Sequence, residues 1–288
     1  MRSGQSPEPI RDACTNLRFR SMRVLHILAI FIAGFVVFAC SAKHEGNPDK
    51  LIVFAASSVA DALDEIAEEF TRRTGVRVFI NQGASGSLCK QIQLGAACDV
   101  FIPASPGYLD QLERLGKMDA ASRRPLARNR LVVVASGNEK QPWLDMRGLM
   151  TLSNGSSIVI ANPDHAPAGH YAREALSDAG VWKALKDRLI FADDVRMASR
   201  YVAQGAIRYG IVYATDAKAF KGKLSIVYKI PAAAHSPIVY EGATGGRGAS
   251  EDIARSFLEF ARSTDAAEIW RKHGFLSNPA SLNTAGSQ

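Results

Sequence analysis

The feature that most constrains this chain is a unit it repeats: a short apolar strand, a junction of small uncharged residues, then an amphipathic helix. The first copy is "LIVFAASSVADALDEIAEEF" at 51–70, where Val59, Leu63, Ile66 and Phe70 recur at helical spacing; Arg72 and Arg73 come late and Gly75 closes the helix. "VRVFIN" (76–81) leads through "QGASGSL" into a helix ending at Gly95, and "DVFIPAS" (99–105) leads into a helix containing "YLDQLERLG". Consecutive units of this kind pack as a parallel, doubly wound sheet, with their junctions collected along the edge where the strands end. The loops at Ser58, Ser85 and Ala104 are therefore expected to meet.

After "RRPLARNR" the pattern restarts with "LVVVASG", "SSIVIANPDHAPAGHYAREAL", "LIFADDVRMASRYVAQG" and "YGIVYATDA". The expected fold class is α/β, two doubly wound lobes with a ligand cleft between them. One lobe covers 48–128 plus 236–276 and the other 129–235, with a tail at 277–288. The first lobe is discontinuous because the closing helices, "SEDIARSFLEFARS" and "DAAEIWRKHGF", have nothing to pack on alone. Two lobes joined by crossing segments can hinge shut on a ligand.

The 288 residues, 47% hydrophobic and 22% charged, give enough apolar surface for such a core and set disorder aside. Residues 22–42, "MRVLHILAIFIAGFVVFACSA", have the basic start, apolar run and small-residue end of a secretory signal. The apolar run at 24–39 is short for a membrane span. Translation is expected to start at Met22, with cleavage after Ala42 and soluble export to the periplasm. The alternatives are an uncleaved anchor or a lipid on Cys40, for which Phe38 fits poorly.

Loss of 1–42 removes Arg2, Arg11, Arg18, Arg20 and Arg23 against Glu8 and Asp12, lowering the formal charge from +7 to +4. The remaining Lys and Arg are scattered among acids and form no basic stripe, which argues against a nucleic-acid partner. Cys89 and Cys98 are then the only cysteines. They are expected at opposite ends of the helix "SLCKQIQLG", too far apart for a disulfide, as two buried thiols with no His at ligand spacing to build a metal site.

The junction residues narrow the chemistry. No nucleophile elbow is present: "GASGS" carries serine where the last glycine of G-x-S-x-G belongs, and no His spacing ties a base to a serine. "GASGSL" lacks the Lys and the length of a P-loop. Asp64, Glu65, Glu68 and Glu69 read as the solvated face of a helix rather than as catalytic carboxylates, and each junction serine is expected to cap its helix. What remains is a set of hydroxyls and amides with no cation, suited to a small desolvated oxyanion whose charge is spread over many hydrogen bonds.

In order along the chain, "VFAASSVADAL", "GASGSLCKQIQLGAACDVFIPAS", "ANPDHAPAGHYAREAL", "DDVR" and "GIVYATDA" resemble the successive motifs of the periplasmic molybdate-binding proteins that feed ABC importers. The resemblance runs from about 51 to 275, and "PDHAPAG" followed by "GIVYATDA" is its most specific part. It implies a type II periplasmic binding fold that captures molybdate, and tungstate with it. Its partners would be the oxyanion and a membrane permease, with no cofactor and no enzymatic turnover; a monomer is expected because the cleft must open and close.

The resemblance also implies ligands at Ser58 and Ser85 in the first lobe. In the second it implies Ala168 and Val195 through their amides and Tyr213 through its hydroxyl. Ser57 is the near neighbour of Ser58, Ala104 is a candidate for one more amide, His165 is expected to shape its loop, and Asp193 and Asp194 are expected as loop or capping residues. The rival expectations are a binding protein for sulfate, phosphate or a small organic acid, and an exported hydrolase or dehydratase using the same cleft.

Overall fold

The chain runs β1 (Lys50–Ala56), α1 (Ala60–Thr74), β2 (Arg77–Gly83), α2 (Ser85–Gln93), β3 (Val100–Ile102), α3 (Gly107–Arg114) and β4 (Arg124–Arg128). It crosses to β5 (Leu131–Ser136), β6 (Ile158–Ala161), α4 (Pro167–Asp178), α5 (Trp182–Leu185), β7 (Leu189–Ala192), α6 (Val195–Ala203), β8 (Tyr209–Tyr213), α7 (Ala214–Ala219) and β9 (Leu224–Lys229). A second crossing delivers β10 (Val239–Thr244), followed by α8 (Glu251–Ala261) and α9 (Thr264–Lys272). The structure is a computed structural model and describes residues 50–137, 145–152, 156–245 and 251–276. The expected signal segment at 22–42, Cys40 and the tail at 277–288 lie outside the described residues. Among the described residues no helix is long and apolar enough to cross a membrane.

Two five-stranded sheets result, in the orders β2-β1-β3-β10-β4 and β7-β6-β8-β5-β9. The repeated units give each sheet three parallel strands: β1 lies between β2 and β3, and β6 between β7 and β8. Neither sheet is wholly parallel, as the sequence pattern alone suggests. β10 pairs antiparallel with β3, and β5 antiparallel with β8. The reason is the path of the chain. Each of these strands arrives from the other lobe, enters at the edge where the parallel strands end, and has to run back the opposite way. β4, from the polar "RPLAR", is an edge strand, a place where Pro125 is tolerated.

α1 forms as its pattern predicts, with Leu63, Ile66 and Phe70 buried and Gly75 ending it at φ 76°, its N–H bonded to the Thr71 carbonyl. A 3-10 turn, Ser57–Val59, intervenes between β1 and α1. The acids of α1 face outward: Glu65 binds Lys272 and His273 at 2.8 and 2.9 Å, and Glu69 binds Arg72 and Arg73. α8 and α9 pack on α1. Phe257 meets Phe70 edge to face at 5.2 Å, and Arg73 reaches Asp265 at 2.7 Å.

Cys89 and Cys98 are free thiols. Cys89 is buried, but α2 stops at Gln93 and leaves Cys98 half-buried in the loop beyond, rather than on the helix.

Phe257 is wholly buried at the joint between α8 and the first sheet. Phe257→Ala is expected to cost about 3–5 kcal/mol through lost burial and the cavity it leaves. Urea unfolding followed by circular dichroism measures this, and a cost below ~1 kcal/mol would mean that α8 is not held on that core.

Candidate functional site

Six junctions at the ends of parallel strands line one small cavity. Ser57 and Ser58 follow β1, Gly83 to Ser85 join β2 to α2, and Ala104 follows β3. From the other sheet come Ala166, Pro167 and Ala168 after β6, Asp194 and Val195 after β7, and Tyr213 at the end of β8. Ser58, Ser85, Ala168, Val195 and Tyr213 therefore line the same space, and so do Ser57 and Ala104.

The helices that begin here keep their first amides uncommitted. At α4, Pro167 occupies the first position and has no N–H. The amides of Gly169 and His170 both bond to the Ala166 carbonyl, at 3.0 and 3.2 Å. The Ala168 N–H has no acceptor among the described residues. At α6, the Asp194 carboxylate accepts from the Met197 amide at 2.8 Å, and its carbonyl accepts from Ala198 at 3.1 Å. Asp194 is thus the capping residue expected, and the Val195 N–H at the helix start has no acceptor among the described residues.

The serines behave differently from expectation. Neither Ser58 nor Ser85 caps a helix: Ser58 sits inside the 3-10 turn and Ser85 is the first residue of α2. Ser85 Oγ instead accepts the Ala104 amide at 3.0 Å. That bond removes Ala104 N–H as a candidate donor, and it leaves the Ser85 hydrogen free to point elsewhere. Ser58 Oγ lies 2.9 Å from the Tyr240 hydroxyl. Tyr213 is wholly buried, its hydroxyl has no partner among the described residues, and burial holds its ionisation well above the usual phenol range.

The two lobes meet across the cavity. The Gly86 amide donates to the His165 carbonyl at 2.8 Å, and Tyr171 OH donates to the Ala104 carbonyl at 3.2 Å. Only glycine permits the first approach, since a Cβ at residue 86 would lie 2.5 Å from the His165 oxygen. His165 Nε2 lies 3.0 Å from the Asp193 carbonyl, so this side chain ties the Ala168 loop to the Val195 loop, the shaping role expected of it. Arg196 bridges the lobes, with Nη1 2.8 Å from Asp61 and Nε 3.0 Å from the wholly buried Asp216.

Among the described residues no Lys, Arg or His lines the cavity. Tyr171, from the "ANPDHAPAGHYAREAL" motif, supports it, as do Tyr240 and Asn129, which no motif marks in sequence. A donor-rich, cation-free lining of this kind is suited to hold a small oxyanion that only accepts hydrogen bonds.

Comparison with known proteins agrees in kind. A family model described as bacterial extracellular solute-binding protein matches residues 51–276. The molybdate-binding protein ModA of Escherichia coli is 34% identical over 251 residues, covering 86% of this chain and 97% of that one. A putative ABC transporter substrate-binding lipoprotein of Bacillus subtilis, YvgL, is 31% identical, with 86% and 98% covered. Among solved structures, the periplasmic molybdate-binding protein of Azotobacter vinelandii superposes with a TM-score of 0.68 at 29% identity, covering 78% of this chain and 98% of that one. The sulfate-binding protein SubI of Mycobacterium tuberculosis, at 16% identity, TM-score 0.66 and 82% and 89% coverage, shares the fold alone.

Burial raises the Asp216 carboxyl to about 7; Asp194 and Asp61 add to the rise, while Arg196 and a hydrogen bond from the Tyr213 backbone oppose it. An unfolded Asp releases its proton near ~3.9. Between these values the folded state holds more protons, so this group's contribution to stability falls as pH rises. In ligand-free protein the stability of Asp216→Asn relative to wild type should therefore improve from about pH 4 to about pH 7 and level off above. Urea midpoints across pH 4 to 8 test this, and a pH-independent difference would contradict it.

Proposed function

The chain belongs to the bacterial extracellular solute-binding proteins, and from that premise we propose that it captures molybdate outside the cytoplasmic membrane and delivers it to the permease of an ABC importer. The observation that carries this reading is the convergence of hydrogen-bond donors from both lobes on one cavity without a neutralising cation. Ser58 and Ser85 donate through their hydroxyls, Ala168 and Val195 through helix-start amides, and Tyr213 through a buried hydroxyl that has no partner within the described chain. A tetrahedral dianion offers acceptors in four directions and satisfies all of them at once. The partial positive ends of α4 and α6 add a favourable field.

Neutral donors also explain how the site discriminates. Hydrogen bonds weaken steeply with length, so a rigid cage sized for long metal–oxygen bonds holds sulfate through stretched contacts. Tungstate matches molybdate in shape and charge and is expected to bind as well. Phosphate keeps a proton at neutral pH, and its hydroxyl would face donors with hydrogens of their own. Turnover is not part of this reading: Asp194, the carboxylate among the described residues lining the cavity, is engaged in capping α6 through the Met197 amide. The protein acts as an exported monomer whose lobes open to admit the anion and close to complete its shell, and the permease reads the closed form.

Calorimetric titration of the protein from Lys43 onward tests the reading. Molybdate and tungstate should bind one to one, with sulfate at least a hundredfold weaker. Ser85→Ala and Tyr213→Phe should each weaken molybdate about 10- to 100-fold, the ~1.5–3 kcal/mol of a hydrogen bond to a charged group. Heat from sulfate or phosphate alone would reassign the cargo, and silence with all four would overturn the oxyanion reading.

A further inference from the structure

Ser58 can serve an anion only if its hydrogen points into the cavity, yet its oxygen lies 2.9 Å from another hydroxyl, that of Tyr240, and either could donate. The surrounding groups decide the direction. Tyr240 OH also lies 3.2 Å from Asn129 Nδ2, and an amide nitrogen only donates. The orientation of the Asn129 amide is fixed in turn, because its Oδ1 accepts the Arg130 backbone N–H at 2.9 Å. Turning the amide over would set –NH₂ against that N–H, donor against donor. Asn129 Nδ2 therefore spends its two hydrogens on Thr215 Oγ1, at 2.9 Å, and on Tyr240.

With its oxygen accepting from Asn129, Tyr240 has its own hydrogen to place, and Ser58 Oγ is the acceptor within reach. Burial keeps that phenol protonated. Ser58, accepting from Tyr240, is left to donate to whatever occupies the cavity. The ring of Tyr240 has little freedom to do otherwise. It packs edge-on to Tyr213 at 6.3 Å and to Phe275 at 5.4 Å, and the pairing of β10 with β4 shifts register between Tyr240 and Glu241, a bulge of the kind that re-aims a side chain.

We infer that Asn129 and Tyr240 are positioning residues of the oxyanion site, forming a one-way relay, Asn129 to Tyr240 to Ser58, that makes Ser58 an obligate donor. This rests on the function proposed above. Asn129 lies on the segment that joins β4 to β5, and its amide bridges Thr215 in one lobe and Tyr240 in the other. The relay is thus anchored at the crossing between the lobes and aimed at the ligand.

The test is a double-mutant cycle on molybdate affinity, measured by calorimetry with folding checked by circular dichroism. Tyr240→Phe should weaken binding about 5- to 10-fold in the wild type and in Ser85→Ala, but less than twofold in Ser58→Ala, because without the Ser58 hydroxyl the relay has nothing to aim. A merely structural role for the phenol would give the same loss in every background and overturn the proposal, as would no loss in the wild type. Asn129→Asp gives a second reading. Its carboxylate can only accept from Tyr240, which reverses the relay, so the loss should exceed that of Tyr240→Phe in wild type and shrink in Ser58→Ala to the part due to charge alone; equal losses in both backgrounds would overturn the proposal. Failure of the function itself looks different: wild-type protein would bind no oxyanion, or Ser85→Ala would bind as wild type does, and the relay would fall with it.

Discussion

A helix that starts where a buried parallel strand stops leaves its first amides without acceptors, and the rest of this structure is arranged around that fact. Three parallel strands in each sheet bring several such starts to one edge, and facing the two edges toward each other multiplies them. Pro167 at the start of α4 then removes one such amide, and Asp194 before α6 occupies another, that of Met197. The backbone thereby supplies directional donors that need no charged side chain. Holding them costs little: a backbone amide has no rotamers to freeze, whereas a Lys or Arg gives up considerable side-chain entropy.

Such a site works only when both halves are brought within hydrogen-bond distance, so the contacts that let the lobes approach matter as much as the donors. The Gly86 to His165 bond sets the separation of the two loops, and the absent side chain at Gly86 is what permits it. Gly169 does the same within the second lobe. A Cβ there would come within 2.0 Å of the Ala161 carbonyl, so α4 can lie against the end of β6 only with glycine at this place. These glycines act through close approach rather than through an unusual backbone angle, and any larger residue would push the donor loops apart.

How much of this is legible in sequence depends on the range of the interaction. The units "FAASSVADAL", "GASGSL" and "PDHAPAG" declare strand, junction and helix through local pattern, and the five residues picked from the resemblance do line one cavity. The mixed sheets are not legible, because the direction of β5 and β10 follows from crossing between lobes rather than from their own residues. β4 hides in "RPLAR", where edge exposure replaces the apolar run of an inner strand. Ala104 looked like a free amide because nothing local says that Ser85, nineteen residues earlier, takes its hydrogen. Tyr240 and Asn129 are invisible for the same reason: they are 111 residues apart, and their meaning lies in which atom donates.

The placing of Arg196 completes the electrostatic argument. It directly follows Val195, near enough to the cavity that an unrestrained guanidinium would serve as a counter-ion for any anion. It is instead held between Asp61 and the buried Asp216. Its guanidinium pairs with Asp61 and lies against Asp216, and it is not among the residues that line the cavity. A free cation would attract every anion by charge, and sulfate and chloride with them, since Coulomb attraction falls slowly with distance and reads little of shape. Hydrogen bonds are short-ranged and directional, so a site built from them alone discriminates by the positions of the ligand's oxygens. The contacts of Arg196 thus do two things at once: the pair with Asp61 ties α6 to α1 across the lobes, and a guanidinium so held leaves recognition to geometry.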